Sequence, residues 1–178
     1  MDEEIGEVLL TQRQIRAKVR ALAREISRDY EGKEILLITI LKGGVFFLTD
    51  LAKAVTVPVA LDFLGISSYG PESRGGEVRF TKDLDVSIRG RHVLVVEDIV
   101  DTGLTLGYIQ RNLMNREPAS LRTCVLLDRP YRRILDIPIH YRGFELPDQF
   151  VVGYGLDWRE KYRNLPYIAV LKEAKGKG

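Results

Sequence analysis

The chain has 178 residues, with 27 Lys and Arg against 25 Asp and Glu, a formal charge of +2. That length suits one domain able to bury a core without disulfides, and the near-neutral balance argues against a nucleic-acid binder. The one cysteine and two histidines exclude a disulfide framework and a Cys/His zinc site, and the acidic, non-apolar start MDEEIGE predicts no signal peptide. Apolar runs such as Ile35-Leu36-Leu37-Ile38 are far shorter than the roughly 20 residues of a membrane span. A cytoplasmic domain without membrane contact is expected.

The first predicted element is a helix. Thr11 and Gln14 have capping-box spacing, and Ile15, Val19, Leu22 and Ile26 follow at steps of four, three and four. The basic side chains Arg13, Arg16, Lys18, Arg20, Arg24 and Arg28 read as its solvated faces. Glu34–Leu41 is apolar without alternation, the pattern of a strand covered on both faces. Lys42-Gly43-Gly44 interrupts it before a second helix that places Leu48, Leu51 and Val55 on one face. Val59–Leu64 reads as a strand, and Ser67–Asp85 as a long polar, Gly-rich loop of the kind that forms lids. His92–Glu97 is another buried strand. It runs into Asp98-Ile-Val-Asp-Thr-Gly103 and a third helix with Leu106, Ile109 and Leu113 inward. Leu121–Leu127, Phe150–Val152 and Tyr167–Leu171 complete the strands. Strands alternating with helices predict an α/β fold with a largely parallel sheet, whose ligands sit beyond the carboxyl ends of its strands. Four features occupy such ends: 42–44, 97–105, 128–129 and 153–157.

The densest of these is 97–105. Two adjacent carboxylates, Glu97 and Asp98, leave a buried strand, and Asp101 follows with Thr102, Gly103, Leu104 and Thr105 at a helix start. Unpaired N–H groups there make a phosphate cradle; Gly103 permits close approach and the two hydroxyls add donors. Carboxylates beside a phosphate suit sugar hydroxyls or hydrated Mg²⁺. His92, His140 and Cys124 lack any nucleophile motif and read as structural.

The segment Val93–Thr105 resembles the phosphoribosyl-pyrophosphate signature of type I phosphoribosyltransferases. Asp62–Gly70, Pro138–Pro147, Phe150–Arg163 and Asn164–Tyr167 narrow the resemblance to the hypoxanthine-guanine phosphoribosyltransferase branch, over about Ile15–Leu171. It implies a single domain, residues 1–178: a parallel sheet flanked by helices, with a small hood built mainly from the N-terminal segment and the C-terminal tail. The implied activity is transfer of a 5-phosphoribosyl group from 5-phosphoribosyl 1-pyrophosphate to N9 of a 6-oxopurine, giving a purine nucleoside monophosphate and pyrophosphate, with Mg²⁺.

By the same resemblance Asp101 is the general base and 101–105 the 5′-phosphate loop. Glu97 and Asp98 serve the ribose and the metal. Lys42, Gly43 and Arg163 serve pyrophosphate, with a non-proline cis peptide before Lys42. Phe150 stacks on the purine, Val151 reads its edge through the backbone, and Asp157 is a metal ligand beside the base. Ser68 and Tyr69 belong to the lid. Arg129 stands where the family usually has lysine contacting the purine 6-oxygen, which opens the preference among hypoxanthine, guanine and xanthine. A homodimer or homotetramer is the family's usual assembly. The competing readings are a xanthine-preferring enzyme, an orotate, uracil or adenine transferase, and an RNA-binding regulator of a pyrimidine operon. The Phe150–Arg163 run, Gly-Phe-Glu-Leu-Pro147 and the near-neutral charge speak against the last two.

Overall fold

The computed structural model describes residues 4–68 and 78–172. A six-stranded sheet has the order β4-β3-β2-β5-β6-β7, built from β2 (Ile35–Ile40), β3 (Val59–Ser68), β4 (Val78–Lys82), β5 (His92–Val100), β6 (Ser120–Asp128) and β7 (Tyr141–Glu145). Neighbours among β3, β2, β5, β6 and β7 run parallel, and β4 is an antiparallel edge. A separate three-stranded sheet joins β1 (Ile5–Leu10), β9 (Ile168–Leu171) and β8 (Val151–Val152).

The two-residue period of each strand divides its apolar side chains between two cores. Ile35, Leu37, Leu94, Val96, Cys124 and Leu126 face α1 (Gln12–Asp29) and α2 (Val45–Ala54). Leu36, Ile38, Val93, Val95 and Val125 face α3 (Leu104–Met114). The non-alternating sequence of these strands follows, because both faces are covered. α1 begins as expected: Gln14 N–H donates to Thr11 Oγ1 (3.2 Å) and Thr11 N–H to Gln14 Oε1 (2.8 Å). It buries Ile15, Val19, Leu22, Ala23 and Ile26, each large side chain contributing about 1.5–3 kcal/mol.

From β2 the chain turns one way through α2 to β3, and from β5 the other way through α3 to β6. The order reverses between β2 and β5, which opens a crevice past their carboxyl ends.

Three sequence expectations need correction. The helix is not the first element: β1 precedes it, paired with β9 as Ile5↔Leu171, Val8↔Ala169 and Leu10↔Ile168. The stretch 67–85 is not one loop. β3 continues to Ser68, and β4 pairs with it through an irregularity at Gly65, where a Cβ would meet Thr81 Oγ1 at 2.8 Å. β4 forms because Val78 and Phe80 turn inward while Arg79 and Thr81 face out. The residues after it are anchored: Asp85 and Val86 N–H donate to buried Asp62 Oδ2 (2.9 and 3.3 Å), and Arg116 holds Asp83. The rest of that stretch, 69–77, with Tyr69 of the expected lid, lies outside the described residues, as does the Ser68 side chain. Finally β7, within 138–147, is a strand that the sequence reading did not assign.

Candidate active site

The crevice is built from backbone upward. Thr39, buried near the end of β2, donates its hydroxyl to Val96 O (2.6 Å), and Ile40 N–H donates to Glu97 Oε1 (3.2 Å). β2 therefore fixes the first acid of β5. Asp98 follows, with Ile99 N–H donating to its Oδ1 (2.8 Å). The Leu41–Lys42 peptide is cis, in line with the resemblance. Gly43 then packs against Asp98, and Gly44 against Thr39, so closely that a Cβ on either would overlap the side-chain oxygen.

Burial pushes the Glu97 carboxyl well above the usual carboxylate range, and the negative charge of Asp98 adds to this; the Ile40 N–H and Thr39 oppose it. Burial likewise raises Asp98 to about 6, with the Asp101 charge a further push and Ile99 N–H and Arg163 pulling back. This adjacent pair is short of countercharge, so it favours a cation or hydroxyl donor arriving from outside.

A cavity of about 330 Å³ adjoins Glu97 and is walled by Asp101, Thr102, Gly103 and Thr105. Gly103, at φ +81°, is the N-cap of α3, and the Thr102 hydroxyl accepts from the Leu104 N–H at 3.3 Å; a helix start of this kind suits an anion. Asp101 carries a buried Oδ1 that makes no hydrogen bond. Two guanidiniums stand near it: Arg129 Nη1 at 3.6 Å from Oδ1, and Arg132 Nη1 at 3.8 Å from Oδ2.

Arg129 is buried and also donates to the Gln149 carbonyl, one residue before Phe150. Phe150 is 49% exposed, edge-on to Trp158 at 5.4 Å, an apolar face left open. Val151 is buried in β8, bridged to Val170 of β9.

The remaining expected residues gather on the other side of Gly43. Gly155, at φ +97°, packs its backbone against the Gly43 carbonyl. Arg163 donates to Gly155 O (2.7 Å) and pairs with Asp157 (3.3 Å) and Glu160 (3.2 Å). Lys42 Nζ pairs with Glu160 Oε2 at 3.1 Å. Arg163 Nε is buried without a hydrogen bond.

Among the described residues, no three acidic, histidine or cysteine side chains converge as a metal cage. The adjacent Glu97 and Asp98 carboxylates, short of countercharge, are oxygen donors of the kind Mg²⁺ takes while keeping water and phosphate as most of its ligands, whereas Asp157 is engaged by Arg163 and the Glu160 N–H.

The sequence reading gave no role to Arg132, Arg133 or Glu160, and named Asp128 only within the strand-end feature 128–129. The run Asp128-Arg-Pro-Tyr-Arg-Arg133, three arginines just past a buried strand, was the available signal for the first two. The histidines and cysteine make local contacts: His92 Nδ1 meets Ser120 Oγ at 2.7 Å, Thr123 N–H donates to His140 Nδ1 (3.0 Å), and Cys124 is fully buried in the core, as its apolar strand predicts. No helix among the described residues is long and apolar enough to cross a membrane.

A family model described as a phosphoribosyl transferase domain matches residues 6–159. A protein of Mycobacterium avium named hypoxanthine-guanine phosphoribosyltransferase is 51% identical over 175 residues, covering 94% of this chain and 86% of that protein. A hypoxanthine-guanine phosphoribosyltransferase crystal structure from Bacillus anthracis superposes with a TM-score of 0.92 at 46% identity, over 94% of this chain and 99% of that one. The Trypanosoma cruzi hypoxanthine phosphoribosyltransferase in complex with its product IMP gives 0.93 at 40% identity, over 99% of each chain. With the acid pair and the 101–105 loop arranged at one sheet crevice, and with a family match across most of its length, the chain belongs to the phosphoribosyltransferase family.

Proposed function

We propose that this chain transfers the 5-phosphoribosyl group of 5-phosphoribosyl 1-pyrophosphate to N9 of hypoxanthine or guanine, yielding IMP or GMP and pyrophosphate in purine salvage. The observation that carries this reading is the placement of Asp101. Asp101 lines the cavity beside Thr102, Gly103 and Thr105, its Oδ1 is 3.6 Å from Arg129 Nη1, and Arg129 donates to Gln149 O next to Phe150.

In the reaction the bond from the anomeric carbon to pyrophosphate oxygen breaks, and the purine N9 bond forms. The sugar gains oxocarbenium character as the leaving group takes the electron pair. Thr102, Gly103, Leu104 and Thr105 anchor the 5′-phosphate. Glu97 and Asp98 hold the ribose hydroxyls, and their buried carboxylates sit where developing positive charge is favoured. Lys42, the Gly43 backbone and Arg163 receive pyrophosphate; its arrival would draw Lys42 and Arg163 from Glu160. Phe150 stacks on the purine, the Val151 backbone meets its edge, and Arg129 donates to the 6-oxygen. Asp101 accepts the proton that the base loses. Mg²⁺ would be held by Glu97, Asp98 and Asp157 together with the donor, and supplies neutralisation of the leaving pyrophosphate.

The separate β1-β9-β8 sheet carries Val151 and serves as the hood of a single domain. The chain works as a homodimer or homotetramer in the cytoplasm. The Arg129 fork in place of the usual lysine favours testing xanthine as an alternative acceptor.

A substrate panel tests the proposal. Protein, donor and Mg²⁺ are incubated with hypoxanthine, guanine, xanthine, adenine, orotate or uracil, and nucleotide formation is scored. The expected products are IMP and GMP, abolished by EDTA and restored by Mg²⁺. Product from pyrimidines alone, or full turnover without metal, would overturn it.

A further inference from the structure

Asp128 is a carboxylate with no exposed surface that the proposed chemistry does not use. It ends β6, opposite Val100 of β5, so it lies directly behind the start of the phosphate loop. Arg133 Nη2 donates to its Oδ1, and Arg142 Nε lies 2.6 Å from its Oδ2. The same Arg133 guanidinium donates through Nε to the Asp101 carbonyl at 3.1 Å. The next two residues continue the contact: Ile134 and Leu135 N–H both donate to the Thr102 carbonyl, at 2.9 and 3.1 Å. The strap and loop are pressed together, since a Cβ on Gly103 would stand 2.7 Å from Leu135 O and 3.0 Å from Arg133 Cδ.

Both carbonyls that begin the loop are thus occupied by residues 133–135. A peptide unit whose C=O points backward presents the following N–H forward, so occupying the Asp101 and Thr102 carbonyls orients the N–H groups of Thr102 and Gly103. We propose that Arg133, held by buried Asp128, is a positioning residue that fixes the phosphate loop in its anion-binding form. The inference rests on the reading of 101–105 as the 5′-phosphate loop. Arg133 touches no substrate; it acts through the Asp101 backbone. Asp128 is needed because a guanidinium only 14% exposed requires a countercharge, and the planar fork can serve a carboxylate and a carbonyl together where an ammonium cannot.

The test compares a nucleoside monophosphate with its nucleoside. Dissociation constants of IMP and inosine are measured for the parent, Arg133→Gln and Arg133→Lys, with thermal melting alongside. Arg133→Gln should weaken IMP by about tenfold, the scale of one lost charge-assisted hydrogen bond, and leave inosine within about twofold of the parent. Arg133→Lys keeps the charge facing Asp128 but cannot span both acceptors. It should melt near the parent and still lose preference for the phosphorylated ligand, which keeps the test open if the Gln variant folds poorly. Unchanged IMP-over-inosine preference in the Lys variant, or an equal loss for both ligands, would overturn the proposal. Parent protein that forms no nucleotide in the substrate panel would instead count against the proposed function, so the two failures are distinguishable.

Discussion

Gly43 lies so close to Asp98 that a Cβ built on its backbone would overlap Asp98 Oδ2. The turn proposed to receive pyrophosphate and the acid proposed to hold the ribose are therefore set against each other without an intervening side chain. On the far side Gly155 makes an equally close approach to the Gly43 carbonyl. The turn at Gly43 is thus held between Asp98 and Gly155.

A Gly43→Ala change must move either the turn or the acid. It should lower kcat/KM for the phosphoribosyl donor by at least about tenfold and destabilise the fold by about 1–3 kcal/mol, the usual cost of overpacking. Steady-state kinetics with donor varied, beside a melting curve, check this; donor kinetics equal to the parent would separate the turn from the acid.

Glu97 and Asp98 make stability fall as pH rises. Their carboxyls titrate higher in the folded chain than in the unfolded one, so the folded state binds more protons between the ordinary carboxylate range and about pH 6, the Asp98 value. The ligand-free protein should therefore lose part of its melting temperature on going from pH 5 to pH 7.5, by about a few degrees. Asp98→Asn should remove part of that slope and raise melting at pH 7.5, while weakening donor binding. Thermal melts across this range, for parent and variant without ligand, provide the measurement.

How far these features could be read from sequence depends on the range of the interaction. The Thr11–Gln14 cap and the stripe Ile15, Val19, Leu22 and Ile26 are local, and the helix follows them. The buried strands announce themselves by unbroken apolar runs because helices cover both faces. β1 was not legible in that way: its partner is Leu171 and its neighbours, at the other end of the chain. β4 hid in a polar stretch because an edge strand needs only alternate residues inward, Val78 and Phe80. The residue types of the site were legible at 97–105. Their fixing was not, since nothing in the sequence names Arg133 as the partner of the Asp101 carbonyl or Gly43 as the neighbour of Asp98.

Phe150 should matter for the base far more than for the fold. It is half exposed and meets Trp158 only edge-on. Phe150→Ala should raise KM for hypoxanthine by about five- to a hundredfold, as stacking on a base is worth about 1–3 kcal/mol. The melting temperature should change by no more than about 2–4 °C, the equivalent of roughly 1 kcal/mol. A variant that loses stability and keeps its KM would make Phe150 a packing residue.

Arg129 combines structural contacts with its proposed role in base recognition. It is buried, and it serves Asp101 and Gln149 O. Arg129→Ala should lower both stability and turnover on hypoxanthine and guanine, because it leaves those acceptors without their cation. Arg129→Lys should keep turnover on 6-oxopurines but change the ratio among hypoxanthine, guanine and xanthine. Product rates on the three bases, with melting curves, distinguish these effects; ratios identical to the parent in the Lys variant would remove Arg129 from base recognition.

The reading of the crevice as a single reaction centre is tested most directly at Asp101. Asp101→Asn is nearly isosteric and leaves the loop backbone free to bind phosphate, so the donor dissociation constant should stay within about threefold while kcat falls by about 10²–10⁴-fold, the range of a positioned general base. Single-turnover rates and donor binding measured on the same variant give both numbers. A fall in kcat of less than about tenfold, below that range, with donor binding intact would contradict the account and move the base to another residue.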